Sequence, residues 1–132
     1  MNKKLDLIVI DDDRVIQMQI QQFLEGVDIN YEFYSCPEEG FSRLQENGAV
    51  ICILDYMMPK MTGEELAVKF SEQLLFEKGD MYLYTSKEFN DEERFKMMTL
   101  GFKAILQKPM TKEEFLNILD DHGLLNKSLK AA

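Results

Sequence analysis

Four short polar segments of this 132-residue chain stand where apolar runs end, and their side chains are of types that bind metal ions and phosphoryl groups. Asp11–Asp13 follow the first run, Asp55 ends the third, Thr85 and Ser86 close the fourth, and Lys108 follows the fifth. Three carboxylates that converge on one spot repel each other strongly unless a cation holds them together. Mg²⁺ is the natural candidate, because it binds a few carboxylate oxygens and keeps several waters.

A carboxylate cluster of this kind has a definite chemistry. Open coordination positions on a bound Mg²⁺ can accept phosphoryl oxygens, while Lys108 and the Thr85 hydroxyl neutralise or hydrogen-bond the others. A carboxylate is ionised at neutral pH and can attack phosphorus directly, which forms an acyl phosphate. One acid would be the nucleophile and the others metal ligands, but residue chemistry alone leaves open which is which.

Five short apolar runs, rich in β-branched and aromatic residues, are predicted to be strands. They are Leu5–Ile10, Tyr31–Tyr34, Val50–Leu54, Met81–Thr85 and Ala104–Leu106. The stretches between them have helical periodicity, with apolar faces formed by Ile16, Ile20, Phe23 and Leu24, by Leu66, Phe70 and Leu74, and by Phe115, Ile118 and Leu119. Alternating strands and helices predict a parallel sheet that is covered on both faces.

The predicted helices carry recognisable start and stop signals. Capping boxes are expected at Thr62 with Glu65, Asn90 with Glu93 and Thr111 with Glu114, an N-cap at Asp13, a first-turn proline at Pro37, and stops at Gly26, Gly79 and Gly101. Ligands of such sheets bind outside the carboxyl ends of the strands. The polar residues at the strand ends are therefore expected to meet at one edge of the sheet.

Composition limits the class of protein. A hydrophobic fraction of 45% is enough for an ordinary globular core, and the net charge of −9 disfavours binding to nucleic acids and to anionic membranes. The basic N-terminus precedes an apolar stretch that is too short for a signal peptide or a membrane span. Cys36 and Cys52 form no metal-binding or redox motif, which is typical of a cytoplasmic protein with reduced thiols.

The motifs at the strand ends resemble those of bacterial response-regulator receiver domains, in particular the stand-alone, chemotaxis-regulator-like members. The resemblance rests on Val9–Asp13 (VIDDD), Ile53–Gly63 (ILDYMMPKMTG), Tyr84–Ser86 (YTS) and the dipeptide Lys108-Pro109, in that order. It extends from about Leu5 to about Asp121. It implies a flavodoxin-like (βα)5 fold with five parallel strands in the order 2-1-3-4-5.

The resemblance also implies roles in phosphoryl chemistry. Asp55 would be the phosphoacceptor, with Asp12 a direct Mg²⁺ ligand, Asp11 acting largely through water, and the backbone carbonyl of Met57 completing the protein's share of the metal shell. Lys108 would pair with Asp55 and then with the phosphoryl group, from a loop in which the peptide bond to the following proline is cis.

On the output side, the resemblance makes Thr85 the hydroxyl that reorients toward the phosphoryl group. Many family members carry an aromatic residue at the position of Ile105, so aliphatic repacking is expected here in place of an aromatic swing. Met57 and Lys87 flank the path of an attacking water in the family. Met57 is expected to shield that water, and Lys87 to be able to contact the phosphoryl group.

The expected function is two-component or phosphorelay signalling rather than enzymatic turnover. A histidine kinase or a histidine phosphotransfer protein would donate the phosphoryl group, and the switched surface would bind a downstream protein. Residues 1–132 are expected to be a single receiver domain, with a core of about 5–121, a tail of 122–132 and no room for an output domain, present as a monomer or weak dimer. His122 is expected to interact with the helix dipole at the end of the last helix rather than to relay phosphoryl groups.

Two other functions remain as alternatives. A Mg²⁺-dependent phosphatase of the haloacid-dehalogenase type also uses a strand-end aspartate as nucleophile, but such enzymes carry a second acid at the position of Met57. A flavin or nucleotide carrier on the same architecture would need a glycine- or hydroxyl-rich phosphate loop after the first strand, where Asp11–Asp13 stand.

Overall fold

A parallel five-stranded sheet runs through the centre of the molecule in the computed structural model, which describes residues 4–58, 61–72 and 75–125. Its strands are β1 (Leu5–Ile10), β2 (Tyr31–Tyr34), β3 (Ala49–Asp55), β4 (Asp80–Thr85) and β5 (Ala104–Gln107). They lie in the order β2-β1-β3-β4-β5, and every adjacent pair is parallel. The predicted fold class and strand order are therefore confirmed.

Helices connect the strands. They are α1 (Arg14–Phe23), α2 (Pro37–Asn47), α3 (Gly63–Glu72), α4 (Asp91–Leu100) and α5 (Lys112–Asp121), and a short 3-10 helix, Leu75–Lys78, precedes β4. One core layer packs α1 and α5 against the sheet, with Ile16, Ile20, Phe115 and Leu119 buried. The other layer includes Phe41 and Leu44 of α2 and Met97 of α4.

The central strands are buried on both faces, as their continuous apolar sequences predict. Along β3, Ile51 and Ile53 point into the layer of α1 and α5, whereas Cys52 and Leu54 point into the opposite layer. This two-residue period fixes the register, because a slip of one residue would exchange the two faces. The strand ends are consequently held at defined heights along the edge of the sheet.

The predicted start signals act as expected at two helices and in part at a third. Asp13 accepts a hydrogen bond from the Val15 backbone, and Asn90 and Glu93 form a reciprocal capping box. Thr111 accepts from the Glu114 backbone, but the Glu114 carboxylate accepts from the Thr111 hydroxyl at 3.2 Å, so only the N-cap half of the capping box predicted there is formed. Pro37 lies in the first turn of α2, and Gly101 is the C-cap of α4. Gly26 lies just beyond α1, and Gly79 follows the 3-10 helix rather than α3. The predicted cap at Thr62 and the apolar face of Leu66, Phe70 and Leu74 rest on side chains outside the described part.

An antiparallel pair of two-residue strands that was not predicted from the sequence follows β3. Met57–Met58 pair with Met61–Thr62 immediately before α3. Strands β3 and β4 also each begin one residue earlier than predicted, and β3 and β5 each end one residue later. None of the described helices has the length and apolarity that crossing a bilayer requires, and the cytoplasmic location stays a prediction.

His122 joins the end of α5 to the start of β4. It is the C-cap residue of α5, its Nδ1 lies 2.9 Å from the Ile118 carbonyl oxygen, and its Nε2 lies 2.8 Å from Asp80 Oδ2. Lys103 Nζ lies 3.5 Å from the same Asp80 oxygen. The hydrogen bond from His122 is the main cause of a lowered pKa at Asp80. The expected position near the helix end is confirmed, and the contact with Asp80 adds a tertiary role.

Replacing Asp80 should make the free energy of unfolding less dependent on pH in the acidic range. Because the folded state lowers the pKa of Asp80, its ionised form stabilises the fold above the ordinary aspartate pKa, and this contribution is lost as the pH falls below about 4. The Asp80 side chain is 42% exposed, so solvent screens its charge and Asp80→Asn should lower the free energy of unfolding by only ~0.5–1 kcal/mol at neutral pH. Urea denaturation at neutral and acidic pH measures this, with the exposed Asp28→Asn as control; an equal deficit at both pH values would contradict it.

Candidate functional site

Asp11 lies at the carboxyl end of β1 and is held from both sides. Its backbone amide donates to the Tyr34 carbonyl of β2, and its backbone carbonyl accepts from Gln17 Nε2 of α1 at 2.9 Å. Its Oδ1 accepts from the Asp13 backbone amide at 2.9 Å. Asp11 is only 1% exposed, so its carboxylate is fixed inside the sheet edge.

Asp55 is the last residue of β3, next to Tyr84 in the register of β3 and β4. The alternation along β3 directs its side chain to the same face as Ile51 and Ile53. It is 4% exposed, and its Oδ1 accepts from the Met57 backbone amide at 3.2 Å. An acid at the end of a buried strand is costly without a partner, which makes the surrounding charges decisive.

Lys108 supplies the positive charge that joins the two acids. Its Nζ lies 3.1 Å from Asp55 Oδ1 and 3.1 Å from Asp11 Oδ2. Its backbone amide donates to the Thr85 carbonyl at 2.7 Å, and the Lys108-Pro109 peptide is cis, as the resemblance predicts. The lysine thus bridges β1 and β3 from the loop that follows β5.

The carboxylates have the arrangement expected of a metal-binding group. Asp11, Asp12 and Asp55 each offer a carboxylate oxygen, and these oxygens lie within 4.8 Å of one another. Within the described part of the chain, the buried Oδ2 of Asp11 receives no hydrogen bond and has only the ion-pair contact with Lys108. An all-oxygen donor set with an unsatisfied buried oxygen fits a hard cation such as Mg²⁺.

The pKa values of the two buried acids and of Lys108 are all shifted by burial and by the neighbouring charges. Burial, and secondarily the Asp11 carboxylate, raises the pKa of Asp55 to about 6 in spite of Lys108. Burial also raises the pKa of Asp11, against the hydrogen bond from the Asp13 amide. For Lys108, burial acts to lower the pKa, but the two carboxylates outweigh it and the net pKa is raised. The ammonium is therefore firmly charged, whereas the acids lie where their ionised forms are disfavoured.

Thr85 ends β4 beside this cluster. It is buried, and its Oγ1 accepts a hydrogen bond from the Lys87 backbone amide at 3.0 Å. The next residue, Ser86, accepts at its carbonyl from Gln107 Nε2 of β5. The Thr85 hydroxyl is therefore hydrogen-bonded to the loop that leads from β4 to α4.

The Lys87 side chain, which was expected to be able to reach a phosphoryl group, is engaged on the α4 side of that loop. Its Nζ lies 2.9 Å from Glu93 Oε2 and over the rings of Tyr56 and Phe89, at 5.4 and 5.1 Å from their centroids. Those two rings meet edge to face at 5.0 Å. Lys87 thus connects the residue after Asp55 to the capping box of α4.

The two remaining predicted residues are Met57 and Ile105. Met57 is 62% exposed, two residues after Asp55, and its backbone amide is the one that donates to Asp55. Ile105 lies in β5 opposite Leu83 and packs, half-buried, against the core layer that contains Met97. The metal-ligand role of the Met57 carbonyl and the switch role of Ile105 stay predictions.

Two contributors to the site were not predicted from the sequence. Gln17 donates to the Asp11 backbone, and Tyr84 places its ring 5.2 Å from Lys108 Nζ. Gln17 carries no signal, since a polar residue on α1 is ordinarily solvated. Tyr84 carries one, because it directly precedes Thr85 in a strand and alternation puts it on the face of Asp55.

Comparisons with known proteins agree with this geometry. The model of the response regulator receiver domain family matches residues 7–120. The transcriptional regulatory protein RprY of Bacteroides fragilis is 33% identical over 67 residues, which are 51% of this chain and 28% of RprY. The response regulator SaeR of Staphylococcus epidermidis is 25% identical over 126 residues, which are 95% of this chain and 52% of SaeR.

Solved structures show the same fold. The chemotaxis response regulator CheY4 of Vibrio cholerae superposes with a TM-score of 0.75 at 23% identity, covering 92% of this chain and 98% of CheY4. A two-component response regulator of Legionella pneumophila gives 0.77 at 17% identity, covering 91% of this chain and 98% of that one.

The chain spans about half or less of the length of the curated relatives it matches. The family match nevertheless covers nearly all of the described core, from β1 to the end of α5. This chain belongs to the response regulator receiver domain family of two-component signal transduction.

Proposed function

We propose that Asp55 accepts a phosphoryl group from a phosphohistidine on a histidine kinase or a histidine phosphotransfer protein. The observation that carries the proposal is the bridge of Lys108 Nζ to Asp55 and Asp11, at 3.1 Å to each, at the carboxyl end of a parallel sheet. Among the acids of that cluster, Asp55 is the one that ends the central strand β3. The unit proposed to act is residues 5–121.

Charge balance supports a divalent cation in the same site. Asp11, Asp12 and Asp55 carry three negative charges when ionised, and Lys108 returns one, which leaves two uncompensated. Mg²⁺ bound by these acids and by the Met57 carbonyl would neutralise them and offset the charge of an incoming phosphoryl group. The unsatisfied Oδ2 of Asp11 supports this assignment from the protein side.

In the proposed transfer, a carboxylate oxygen of Asp55 forms the new bond to phosphorus while the bond from phosphorus to the donor's imidazole nitrogen breaks. The product is an acyl phosphate, and the donor histidine regains its lone pair. Lys108 is placed to follow the negative charge from Asp55 to the phosphoryl oxygens. The hydroxyl of Thr85 would hydrogen-bond the same group after giving up the Lys87 amide.

The consequence of phosphorylation would be a changed binding surface rather than turnover of an external substrate. We place the change along α4, β5 and α5, with Thr85, Lys87 and Ile105 as its internal parts and a downstream protein as its reader. The haloacid-dehalogenase alternative has no support, because the family match is to a receiver domain and Met57 stands where such phosphatases carry an acid.

Asp55→Asn should abolish labelling of the chain by a small acyl-phosphate donor in the presence of Mg²⁺, because the amide is no nucleophile. The wild type should gain one phosphoryl mass adduct under the same conditions. No adduct should form when EDTA is added before the donor. Mass spectrometry of the intact protein measures this, and Asp28→Asn, an exposed loop acid, is the matched control. Labelling that persists in Asp55→Asn, or that needs no Mg²⁺, would overturn the assignment.

The same variant should be more stable than the wild type in metal-free buffer. Since the folded state raises the pKa of Asp55 to about 6, stability falls as the pH rises through that value, and the charge is unfavourable at neutral pH. Removing it should increase the free energy of unfolding by on the order of 1–3 kcal/mol. Urea denaturation in EDTA measures the gain, which should narrow when Mg²⁺ is added, because the cation binds the intact wild-type site more tightly. A less stable Asp55→Asn in EDTA would contradict this.

Met57→Asn should accelerate loss of the phosphoryl group from Asp55 severalfold. The exposed Met57 side chain follows the acceptor by two residues, and an amide there can orient an attacking water that a thioether only shields. The decay of the purified phosphorylated protein after removal of the donor measures the rate. Met98→Asn, at an exposed methionine of α4, is the control, and an unchanged decay in Met57→Asn would rule out shielding.

A further inference from the structure

Tyr84 is a fully buried residue of β4 that makes two separate contacts with the loop carrying Lys108. The centroid of its ring lies 5.2 Å from Lys108 Nζ, within the range of a cation–π interaction. Its hydroxyl accepts a hydrogen bond from the backbone amide of Met110 at 2.9 Å, and that bond is buried. The loop is therefore held to β4 at its ammonium and at its backbone.

The backbone of the same residue contacts the other side of the site. Tyr84 is the register partner of Asp55, and its carbonyl accepts from the Tyr56 amide, directly after Asp55, at 3.1 Å. Tyr84 thus touches the chain at the proposed acceptor and at the lysine that neutralises it. Lys108 Nζ and Asp55 Oδ1, which lie on these two sides of Tyr84, are 3.1 Å apart.

We propose that Tyr84 is a positioning residue for Lys108: its ring and hydroxyl hold the ammonium between Asp55 and Asp11. This inference rests on the proposed function of the site, because Lys108 matters there for the charge of the phosphoryl group. The ring offers a cation a favourable face that adds no negative charge beside the nucleophile. The hydroxyl anchors a buried amide that would otherwise lose its acceptor.

The neighbouring tyrosine of the same strand shows that burial alone does not produce these contacts. Tyr82 lies two residues earlier on the same face and in the same core layer as Tyr84. Its ring meets the ring of His122 at 6.0 Å, at the opposite end of the strand from Lys108. Variants of Tyr82 therefore match those of Tyr84 in size, strand and burial but leave the lysine loop untouched.

The test compares Tyr84→Phe, which keeps the ring, and Tyr84→Leu, which removes it, with Tyr82→Phe and Tyr82→Leu. Tyr84→Leu should slow phosphorylation by the acyl-phosphate donor roughly three- to thirtyfold, the rate equivalent of one desolvated cation–π contact. Tyr84→Phe should slow phosphorylation less than Tyr84→Leu does. Mg²⁺ affinity, from titration calorimetry, should be unchanged or higher in both, because a less restrained ammonium competes less for the carboxylates. The Tyr82 variants should keep wild-type rates and affinities.

A purely structural role gives a different pattern. Rates and Mg²⁺ affinities that fall together, in the Tyr82 variants as much as in the Tyr84 variants, would overturn the inference, as would wild-type rates in Tyr84→Leu. If Tyr84→Leu fails to fold by circular dichroism, Tyr84→Phe decides alone. A slower rate with no loss of Mg²⁺ affinity supports the inference, and a wild-type rate, or a rate and an affinity that fall together, overturns it.

One readout is independent of phosphorylation. The Lys108 ε-methylene resonance should show a ring-current shift in the wild type and in Tyr84→Phe, and should return to the ordinary lysine position in Tyr84→Leu. A wild type that shows the ring-current shift but takes no phosphoryl group would reject the proposed function and leave the placement of Lys108 standing. A wild type without the shift would reject the role of Tyr84.

Discussion

The ammonium group of Lys108 lies between two carboxylates that are almost completely withdrawn from solvent, and this contact sets the conditions for the rest of the site. Removing one partner of a buried charge pair is usually costly, because the other charge is left without compensation. Here one cation faces two acids, and the raised pKa of Asp55 and of Asp11 shows that the compensation is incomplete. The fold tolerates that deficit because a large apolar core on both faces of the sheet stabilises it. The uncompensated negative charge favours a bound cation, and under the proposed function that cation would offset the charge of an incoming phosphoryl group.

The sheet makes this arrangement possible because parallel strands bring their carboxyl ends to one edge. Asp11 directly follows β1 and Asp55 ends β3. The register pairs Ile10 with Leu54, so that the two acids come directly after paired positions on neighbouring strands. Lys108 comes from the loop after β5, two strands further along, and reaches the acids past β4. The ring of Tyr84, on β4, lies 5.2 Å from the Lys108 ammonium. In the role proposed above, Tyr84 helps to hold the long Lys108 side chain in this position.

Local sequence patterns were sufficient to predict most of the fold. The runs that became β1 and β2 were predicted with their observed bounds, and the acids at the strand ends followed from the parallel topology. Features that depend on tertiary distance were not accessible in the same way. Two-residue strands such as Met57–Met58 show no periodicity, and the contact of His122 with Asp80 joins residues 42 positions apart. The engagement of Lys87 with Glu93 likewise depends on where the loop turns, which the one-dimensional pattern does not contain.

That loop is also where the site and the protein surface are joined. The Thr85 hydroxyl accepts from the Lys87 amide, the Lys87 ammonium pairs with Glu93 Oε2, and Glu93 Oε1 accepts the Asn90 amide at the start of α4. Each of these contacts is individually weak, because they are single hydrogen bonds or exposed ion pairs. A charge-assisted hydrogen bond to a phosphoryl oxygen is stronger than the bond that Thr85 would give up. Under the proposed function, phosphorylation would therefore drive a displacement of Thr85. That displacement would reach the first turn of α4 through Lys87 and Glu93, with the aliphatic Ile105 in place of an aromatic residue.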